Sequence, residues 1–345
     1  MKVLLLHSNQ QSYIVESVFL GLRKLLGTSC VDVPRYDSMY APITEGIKAK
    51  LRGNGFTLYG LLEDIPKLVE KRFFWRKDIN SYDIILIGGI WHREQWDLLW
   101  ELSLIVEPKK LAIIDNSDHP AFFPFASIKW RLRNYPWSYL FPISKFKYFK
   151  RELVGEGASY GLDRFFPRYL RKWIPIPKNA VPISYSIPEE KIWKVDISRK
   201  TKDFATHIVD PEVAARFDES FFSSTGSEKY IFTSEKDYYD DLRKSRFCIT
   251  TKRGGWECLR HYEIAANGCV PCFRDLDKKP QTCAPHGLNE SNCIIYHSYD
   301  ELIAKINALD EKKYEQLQAN ALSWVRQNTT VERAKQLLIA LNLRE

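Results

Sequence analysis

Residues 237–275 read DYYDDLRKSRFCITTKRGGWECLRHYEIAANGCVPCFRD, and this stretch decides the fold. Its hydrophobic spacing predicts, in order, a short helix (237–245), a buried strand (247–250), a loop with two glycines (252–255), a helix (256–266) and a second strand (269–273). A loop between a strand and a helix lies next to the free backbone N–H groups and the positive end of the helix dipole. The stretch therefore predicts an α/β unit with an anion-binding turn.

Charged side chains cluster around this turn. Gly254 and Gly255 allow the backbone to approach a ligand closely, and Arg253 beside them can form a charge-assisted bond to a phosphate. Arg260 and Glu263 are three residues apart and share one helix face, where the carboxylate can accept hydrogen bonds from ribose hydroxyls. Such a pair alone is more often a solvated salt bridge. The glycine loop before it and the Gly-Cys-Val-Pro run after it favour a nucleotide site.

These residues resemble the C-terminal lobe of GT-B-fold glycosyltransferases, especially the exostosin-like type. That type has an Arg-Gly loop, a helix with an Arg-x-x-Glu pair, and Gly-Cys-x-Pro at the start of a strand; the counterparts here are Arg253-Gly254, Arg260-His261-Tyr262-Glu263 and Gly268-Cys269-Val270-Pro271. The resemblance is strong over 237–275 and loose over 230–326. It implies an α/β fold of two Rossmann-like lobes with a cleft between them. It also implies a nucleotide-sugar donor held by Arg253, Gly254, Gly255, Glu257, Arg260 and Glu263, although Glu257 stands where exostosin-like sequences often carry a small polar residue.

Strands and helices alternate on both sides of the deciding stretch. Before it, short apolar runs predict strands over 1–7, 30–33, 84–89 and 110–115, and helical spacing predicts helices over 12–26 and 96–106. After a proline-rich connection at 173–190, the pattern predicts strands over 203–209, 230–233 and 293–296, and helices over 211–222, 300–309, 312–326 and 331–341. Such alternation is typical of parallel sheets with right-handed crossovers.

Two lobes and a terminal helix follow from this pattern. We expect an acceptor lobe in residues 1–180, a nucleotide-sugar lobe in 181–328, and a C-terminal helix in 329–345 that crosses back to the first lobe. A chain of 345 residues is too long for one ordinary core and suits two α/β domains.

Catalytic candidates follow two strands of the first lobe, because ligands of parallel sheets bind beyond the carboxyl ends of strands. His7 ends the strand at 1–7, and Asp118 and His119 follow the strand at 110–115. We predict that Asp118 or His119, and next His7, takes the proton of the acceptor hydroxyl. The run NSDHP also has the composition of a turn, which is the alternative role for Asp118 and His119. We expect neither cofactor nor metal ion, since Lys and Arg can neutralise the leaving diphosphate.

The charge pattern indicates an anionic partner. The formal net charge is +8, and residues 121–151 contain no Asp or Glu, but many Lys, Arg, Trp, Tyr and Phe. This aromatic–basic run predicts contact with an anionic membrane surface or a lipid diphosphate, and its alternative is a partly buried irregular segment. The expected substrates are a nucleotide sugar and a glycan or lipid-linked glycan. Polysaccharide biosynthesis is expected by analogy alone.

Two other classes of protein compete with a transferase. Cys269 and Cys272 form a Cys-x-x-Cys, but a strand there would direct the two side chains to opposite faces, which disfavours a zinc or redox site. Basic charge interleaved with aromatic residues suits a nucleic-acid binder, although no helix-turn-helix, zinc-finger or RNP-type motif is visible. A non-catalytic nucleotide-sugar-binding protein is the remaining alternative, because the donor motif is clearer than any catalytic base.

The composition excludes two broad classes. With 45% hydrophobic and 14% aromatic residues, the chain can bury a core and is not a disordered protein. Its apolar runs fall short of the roughly 20 residues that span a bilayer. The apolar stretch at the start, MKVLLLHSN, is shorter than the apolar region of a signal peptide. We therefore expect a cytoplasmic protein with mostly reduced cysteines, peripheral on the inner membrane face.

Overall fold

A computed structural model of the protein describes residues 1–123, 133, 141–154, 170, 176–217 and 231–343. Within these residues, the first lobe contains a six-stranded parallel sheet of order β2-β1-β3-β4-β5-β6. Its strands are β1 (Val3–Leu6), β2 (Cys30–Val33), β3 (Ile84–Gly88), β4 (Leu111–Asp115), β5 (Lys147–Lys150) and β6 (Ala180–Pro182). Its described helices are α1 (Tyr13–Leu26), α2 (Glu45–Lys48), α3 (Lys67–Phe73) and α4 (Arg93–Ser103).

The second lobe contains a four-stranded parallel sheet of order β10-β9-β8-β7. The strands are β7 (Lys202–Phe204), β8 (Ser245–Thr251), β9 (Val270–Arg274) and β10 (Ile294–Tyr296). The described helices that follow β6 are α5 (Pro211–Ala214), α6 (Glu235–Lys244), α7 (Leu259–Ala266), α8 (Tyr299–Asn307), α9 (Glu311–Arg326) and α10 (Thr330–Ala340).

Apolar strand sequences explain the two-sided burial of the first sheet. Every residue of β1, β3 and β4 is buried, as in a parallel sheet covered on both faces. In the register, Val3 lies opposite Cys30 on one side and opposite Ile84 on the other. One apolar cluster covers one face of this sheet through α1 and continues to Trp256 and Tyr262 of the second lobe, so the two lobes share a core.

The last helix packs on the first. A Cβ atom built on Gly21 of α1 would collide with the backbone carbonyl of Thr330, the first residue of α10. Ala334, Leu337 and Leu338 of α10 lie in the same apolar cluster as Val18 and Leu22 of α1.

Several elements differ between the prediction and the structure. The helix predicted over 211–222 is the short α5 (Pro211–Ala214), and residues 218–222 lie outside the described residues. The strand predicted over 203–209 ends at Phe204, and no strand covers residues 231–233. The proline-rich connection contains β6, which pairs with β5 at the edge of the first sheet, where proline is tolerated. β5 itself lies at the end of the aromatic–basic run and is buried at Tyr148, Phe149 and Lys150, so this part of the run is interior; residues 124–132 and 134–140 lie outside the described residues.

Candidate functional site

The carboxyl edge of the second sheet brings three basic side chains together. His207 follows β7, Arg253 follows β8, and Arg260 lies in the first turn of α7. Burial, together with the charges of Arg260 and Arg253, lowers the pKa of His207 to about 2. His207 is therefore neutral, and both guanidinium groups act on it electrostatically. The sequence prediction included both arginines and missed His207, which lies in a segment predicted as strand.

Arg260 is the cation of this group that the protein leaves available. It is partly buried, and its side chain forms neither a hydrogen bond nor an ion pair with any residue in the described part of the chain. A partly buried guanidinium loses hydration, and such a loss is normally offset by a carboxylate or phosphate partner. With the amino end of α7 beside it, this edge is suited to a phosphate or diphosphate.

His261 anchors the first turn of α7. Its Nδ1 accepts a hydrogen bond of 3.3 Å from the backbone N–H of Cys258, and its Nε2 lies 3.1 Å from Oγ1 of Thr250 in β8. Burial, and then the charge of Arg260, lowers the pKa of His261 to about 3, so the ring is neutral. His261 therefore fixes α7 against β8 and does not supply charge to the site.

Glu263 is buried and bonded on both carboxylate oxygens. Tyr238 donates to Oε2 at 2.9 Å, and the hydroxyl of Thr57 donates to Oε1. Burial raises the pKa of Glu263. Thr57 belongs to the first lobe, so Glu263 is also a point of contact between the lobes.

The loop around Thr57 inserts into the second lobe. The N–H of Thr57 donates to Oε1 of Glu235 at 2.5 Å, and its hydroxyl lies 2.7 Å from the hydroxyl of Tyr239. Nearby, the amide of Asn54 donates to the carbonyl of Phe232 at 2.7 Å. Thr57 has a φ of 73°, which is unfavourable for a β-branched residue and is held here by these hydrogen bonds. No local pattern in the sequence predicts the contact of this loop with the second lobe, because its partners lie far along the chain.

The two loop glycines meet acidic residues of the first lobe. A Cβ on Gly254 would lie 2.7 Å from Oδ2 of Asp118, and one on Gly255 would collide with the carboxylate of Glu152. The Oε1 atom of Glu152 accepts a hydrogen bond of 2.9 Å from the N–H of Trp256. We predicted that these glycines allow a ligand to approach, and in this structure they allow the approach of the other lobe.

Glu257 lies inside this inter-lobe contact. Its Oε1 accepts hydrogen bonds from the N–H of Tyr185 at 2.9 Å and from the hydroxyl of Tyr262 at 2.5 Å. Burial raises the pKa of Glu257 to about 7, and the nearby charge of Arg151 offsets part of this effect. Protein groups therefore occupy Oε1 of Glu257, whereas its Oε2 atom is buried without a hydrogen-bond partner among the described residues.

Arg151 contacts both lobes, and it was not among the site residues predicted from the sequence. The side chain is 1% exposed, forms an ion pair with Asp118, and donates to the carbonyl of Glu257 at 3.2 Å. Its guanidinium also lies over the ring of Tyr185, 4.9 Å from the centroid. The residue follows β5, a strand that the sequence did not reveal.

The three catalytic candidates occupy different surroundings. Asp118 is exposed and lies beside Gly254, so it reaches the loop of Gly254 and Gly255. His119 is exposed, and its Nδ1 accepts a hydrogen bond of 3.0 Å from the N–H of Ala121 within the turn. His7 is buried against Tyr36, and its ring nitrogens lie 2.9 and 2.8 Å from the carbonyls of Ser8 and Pro34. Burial lowers the pKa of His7.

Metal-ligand residue types also meet at the carboxyl edge of the second sheet. Asp275 and Asp277 form an Asp-x-Asp pair that the sequence interpretation overlooked, and His297 lies within 4.8 Å of both. Lys278 and His297 already bind the carboxylate of Asp275, at 2.7 and 2.8 Å. All three residues are at least partly exposed, so we assign them no role.

The cysteines lie in separate environments. Cys269 packs with Cys248 and Ile264, whereas Cys272 packs with Val270 and Phe247 on the other face of the second sheet. Burial raises the pKa of both thiols. The two cysteine side chains of the Cys-x-x-Cys therefore lie on opposite faces of the sheet, as predicted.

Among the described helices, none combines the length and the apolar composition that a membrane span requires.

Comparison with solved structures shows that the fold is that of the GT-B glycosyltransferases, as the resemblance implied. Similar structures include a glycosyltransferase from Rickettsia africae (TM-score 0.54, 11% identity, 99% of this chain and 98% of that chain). Another is Anabaena HepE in complex with UDP-glucose (TM-score 0.53, 12% identity, 99% of both chains). A third is sucrose-phosphate synthase from Thermosynechococcus elongatus (TM-score 0.51, 12% identity, 98% and 97%). No protein-family model matches the chain, and no curated protein matches it by sequence.

Proposed function

We propose that the chain is a glycosyltransferase that moves a sugar from a nucleotide-sugar donor to a glycan or lipid-linked glycan. The observation that carries this proposal is the unpaired guanidinium of Arg260, at the amino end of α7 and close to Arg253 and neutral His207. Positive charge held in place before the reaction can stabilise a leaving nucleoside diphosphate. HepE, which shares the fold, binds UDP-glucose.

Glu263 is the proposed partner of the ribose. A carboxylate can accept a hydrogen bond from each of two ribose hydroxyls, and each oxygen of Glu263 now accepts one bond, from Thr57 and from Tyr238. In the donor complex, a ribose hydroxyl takes the place of the Thr57 hydroxyl. The exostosin-like subtype rests on the sequence pattern around this residue.

Asp118 is the proposed base for a transfer that inverts the anomeric centre. Of the three candidates, it is the one that lies against the Arg253–Gly255 loop. Asp118 also forms an ion pair with Arg151, and a carboxylate is a form that can accept the proton of a hydroxyl. His119 is the next candidate, because it is exposed in the same turn.

Transfer is tested by incubating the protein with UDP-, GDP-, CMP-, ADP- and dTDP-sugars and a mixture of glycans and polyprenyl-diphosphate-linked sugars. We expect one donor to release its nucleotide and to add one sugar mass to an acceptor. Asp118→Asn should abolish transfer and leave nucleotide affinity unchanged. Nucleotide binding without transfer in every mixture would indicate the non-catalytic alternative.

We further propose that the protein contacts anionic membranes through the amino edge of the first sheet. Crossover helices run antiparallel to their strands, so α3 and α4 both end at this edge. Phe73 and Leu104 at these ends are 78% and 76% exposed, and Lys71, Lys77 and Lys109 lie at or near the helix ends. Exposed apolar side chains beside lysines complement an anionic lipid surface.

Vesicle sedimentation tests this surface. The protein should sediment with vesicles that contain phosphatidylglycerol and remain soluble with pure phosphatidylcholine. The double variant Phe73→Ser/Leu104→Ser should lose sedimentation, whereas Ile339→Ser, which changes another exposed apolar residue (69%), should retain it. Equal sedimentation of both variants would contradict the assignment.

A further inference from the structure

A pocket lies at the carboxyl ends of β1 and β2, apart from the basic edge of the second sheet. Its volume is about 550 Å³, large enough for a sugar ring with substituents. The walls come from the turn after β1, the turn after β2 and residues 47–52. This wall continues directly to Thr57, which contacts Glu263 in the second lobe.

Glu16 belongs to this pocket and has an unusual environment. Its side chain is 0% exposed, and its Oε2 atom accepts a hydrogen bond of 2.7 Å from the hydroxyl of Tyr59. Its Oε1 atom is buried without a hydrogen-bond partner in the described residues. Buried carboxylate oxygens are almost always bonded, so an unpartnered one beside a pocket indicates a missing hydroxyl or amide donor.

The rest of the lining is polar and available. Asn9 and Gln10 are exposed, and their side-chain amides form no hydrogen bond with other described residues. Gln11 is committed to the protein, because its amide bonds to both the N–H and the carbonyl of Arg52. Free amides at a pocket rim are suited to sugar hydroxyls, since each amide both donates and accepts.

Two cations lie at the rim. The side chains of Lys50 and Arg52 are exposed and form no ion pair with any residue of the described ranges. Asp37, the acidic residue of the rim, is paired with Arg35. The rim is therefore net positive, and it favours an anionic group on the ligand.

We propose that this pocket is the acceptor subsite and that it binds a sugar with an anionic substituent. A hydroxyl of the sugar donates to Oε1 of Glu16, and the anionic substituent binds Lys50 and Arg52. The role of the pocket as an acceptor subsite rests on the proposed transfer reaction. Binding of an anionic sugar in the pocket does not depend on that reaction. The anionic substituent is a phosphate or a carboxylate, and both sources share this chemistry.

Isothermal titration with four probes tests the chemistry: glucose 6-phosphate, glucuronate, glucose and inorganic phosphate. We expect glucose 6-phosphate or glucuronate to bind at least tenfold more tightly than either glucose or phosphate, and the tighter of the two identifies the anion. Absence of binding by both charged sugars would overturn the proposal. Tight binding of inorganic phosphate alone would indicate an adventitious anion site and would also overturn it.

Variants locate the site. Glu16→Met conserves volume and removes the acceptor oxygens, so it should weaken the charged sugar at least tenfold without a lower Tm. Lys50→Gln/Arg52→Gln should weaken the charged sugar and leave glucose unchanged, while the control Lys48→Gln, outside the pocket, should change neither. Unaltered affinity in Glu16→Met would place the ligand elsewhere.

Nucleotide titrations on the same samples separate the two proposals. If nucleotides bind and charged sugars do not, the acceptor subsite fails and the transferase proposal stands. If charged sugars bind through Glu16 and no nucleotide binds, the pocket stands and the proposed transfer reaction fails.

Discussion

His207 and Arg260 illustrate how individual residues define the proposed donor site. A buried neutral imidazole next to two guanidinium groups can donate or accept one hydrogen bond without adding charge, while Arg260 has no partner in the described residues. Arginine offers a planar set of donors that matches phosphate oxygens in pairs. The proposed donor site therefore offers hydrogen-bond donors and positive charge that suit an anion.

Glu16 provides a prediction at this scale, because burial raises its pKa from 4.5 to about 7. A carboxyl group with a raised pKa in the folded state stabilises the fold at low pH, and this contribution is lost as pH rises through about 7. Relative to wild type, Glu16→Gln should therefore become more stable between pH 5 and pH 8.5, by at most about 3 kcal/mol.

Thermal unfolding of both proteins across this pH range measures the difference. Comparison with wild type cancels the contributions of the buried histidines, which are common to both proteins. Glu315→Gln, at an exposed position, serves as the control and should follow wild type at every pH. A constant difference between Glu16→Gln and wild type would contradict the raised pKa.

Several site residues could not be predicted from the sequence. Arg253, Arg260 and Glu263 were predicted because their spacing within one loop and one helix is local. His207, Thr57 and Arg151 act through partners on other elements, and no local spacing marks them. Long-range pairing of this kind is visible only in the folded chain.

Packing between helices gives a second prediction, at the scale of elements. Gly21 in α1 faces the backbone of Thr330, so Gly21→Ala forces α1 and α10 apart. We expect a loss of about 2–3 kcal/mol in unfolding free energy. Gly46 in α2 faces open space, so Gly46→Ala should be neutral or gain up to about 1 kcal/mol. Urea unfolding of both variants tests this contrast, and equal effects would contradict the packing.

The inserted loop gives a third prediction. If a ribose hydroxyl replaces the hydroxyl of Thr57 on Glu263, Thr57→Ala removes a competitor, and nucleotide affinity should rise about fivefold, as expected for one hydrogen bond of about 1 kcal/mol. The control is Thr44→Ala, which removes the exposed cap of α2. Weaker nucleotide binding in Thr57→Ala would show that the hydroxyl does not compete with the ligand.

Elements with strong periodicity were predicted well. β1, β3, β4 and α1 lie within a few residues of their predicted bounds, because apolar runs and helical spacing are local signals. β5 and β6 were missed. Lysines lie at both ends of β5, and Pro182 ends β6, so neither segment has the apolar run of a buried strand. Both become strands because they pair with neighbouring strands at one side of the sheet.

At the scale of the whole molecule, the lobes meet through charged and polar groups around a shared apolar cluster. Arg151, Asp118 and Glu152 of the first lobe contact the loop of Gly254 and Gly255 in the second. The proposed donor edge and the proposed acceptor pocket both lie at carboxyl ends of strands, where parallel sheets bind ligands. A two-lobed α/β fold was predicted from the alternation of strands and helices, the chain length and the resemblance to GT-B enzymes; its inter-lobe contacts required the structure.

Nucleotide titration tests directly whether Arg260 and the carboxyl edge of the second sheet bind a nucleoside diphosphate. UDP, GDP, CMP, ADP and dTDP are titrated calorimetrically into wild type, Arg260→Gln and the control Arg199→Gln, whose exposed arginine precedes β7 at the opposite edge. We expect wild type and Arg199→Gln to bind one nucleotide equally, and Arg260→Gln to bind it at least tenfold more weakly with an unchanged Tm. If no nucleotide binds the folded wild type, or if Arg260→Gln binds as tightly as Arg199→Gln, the proposed donor site is wrong.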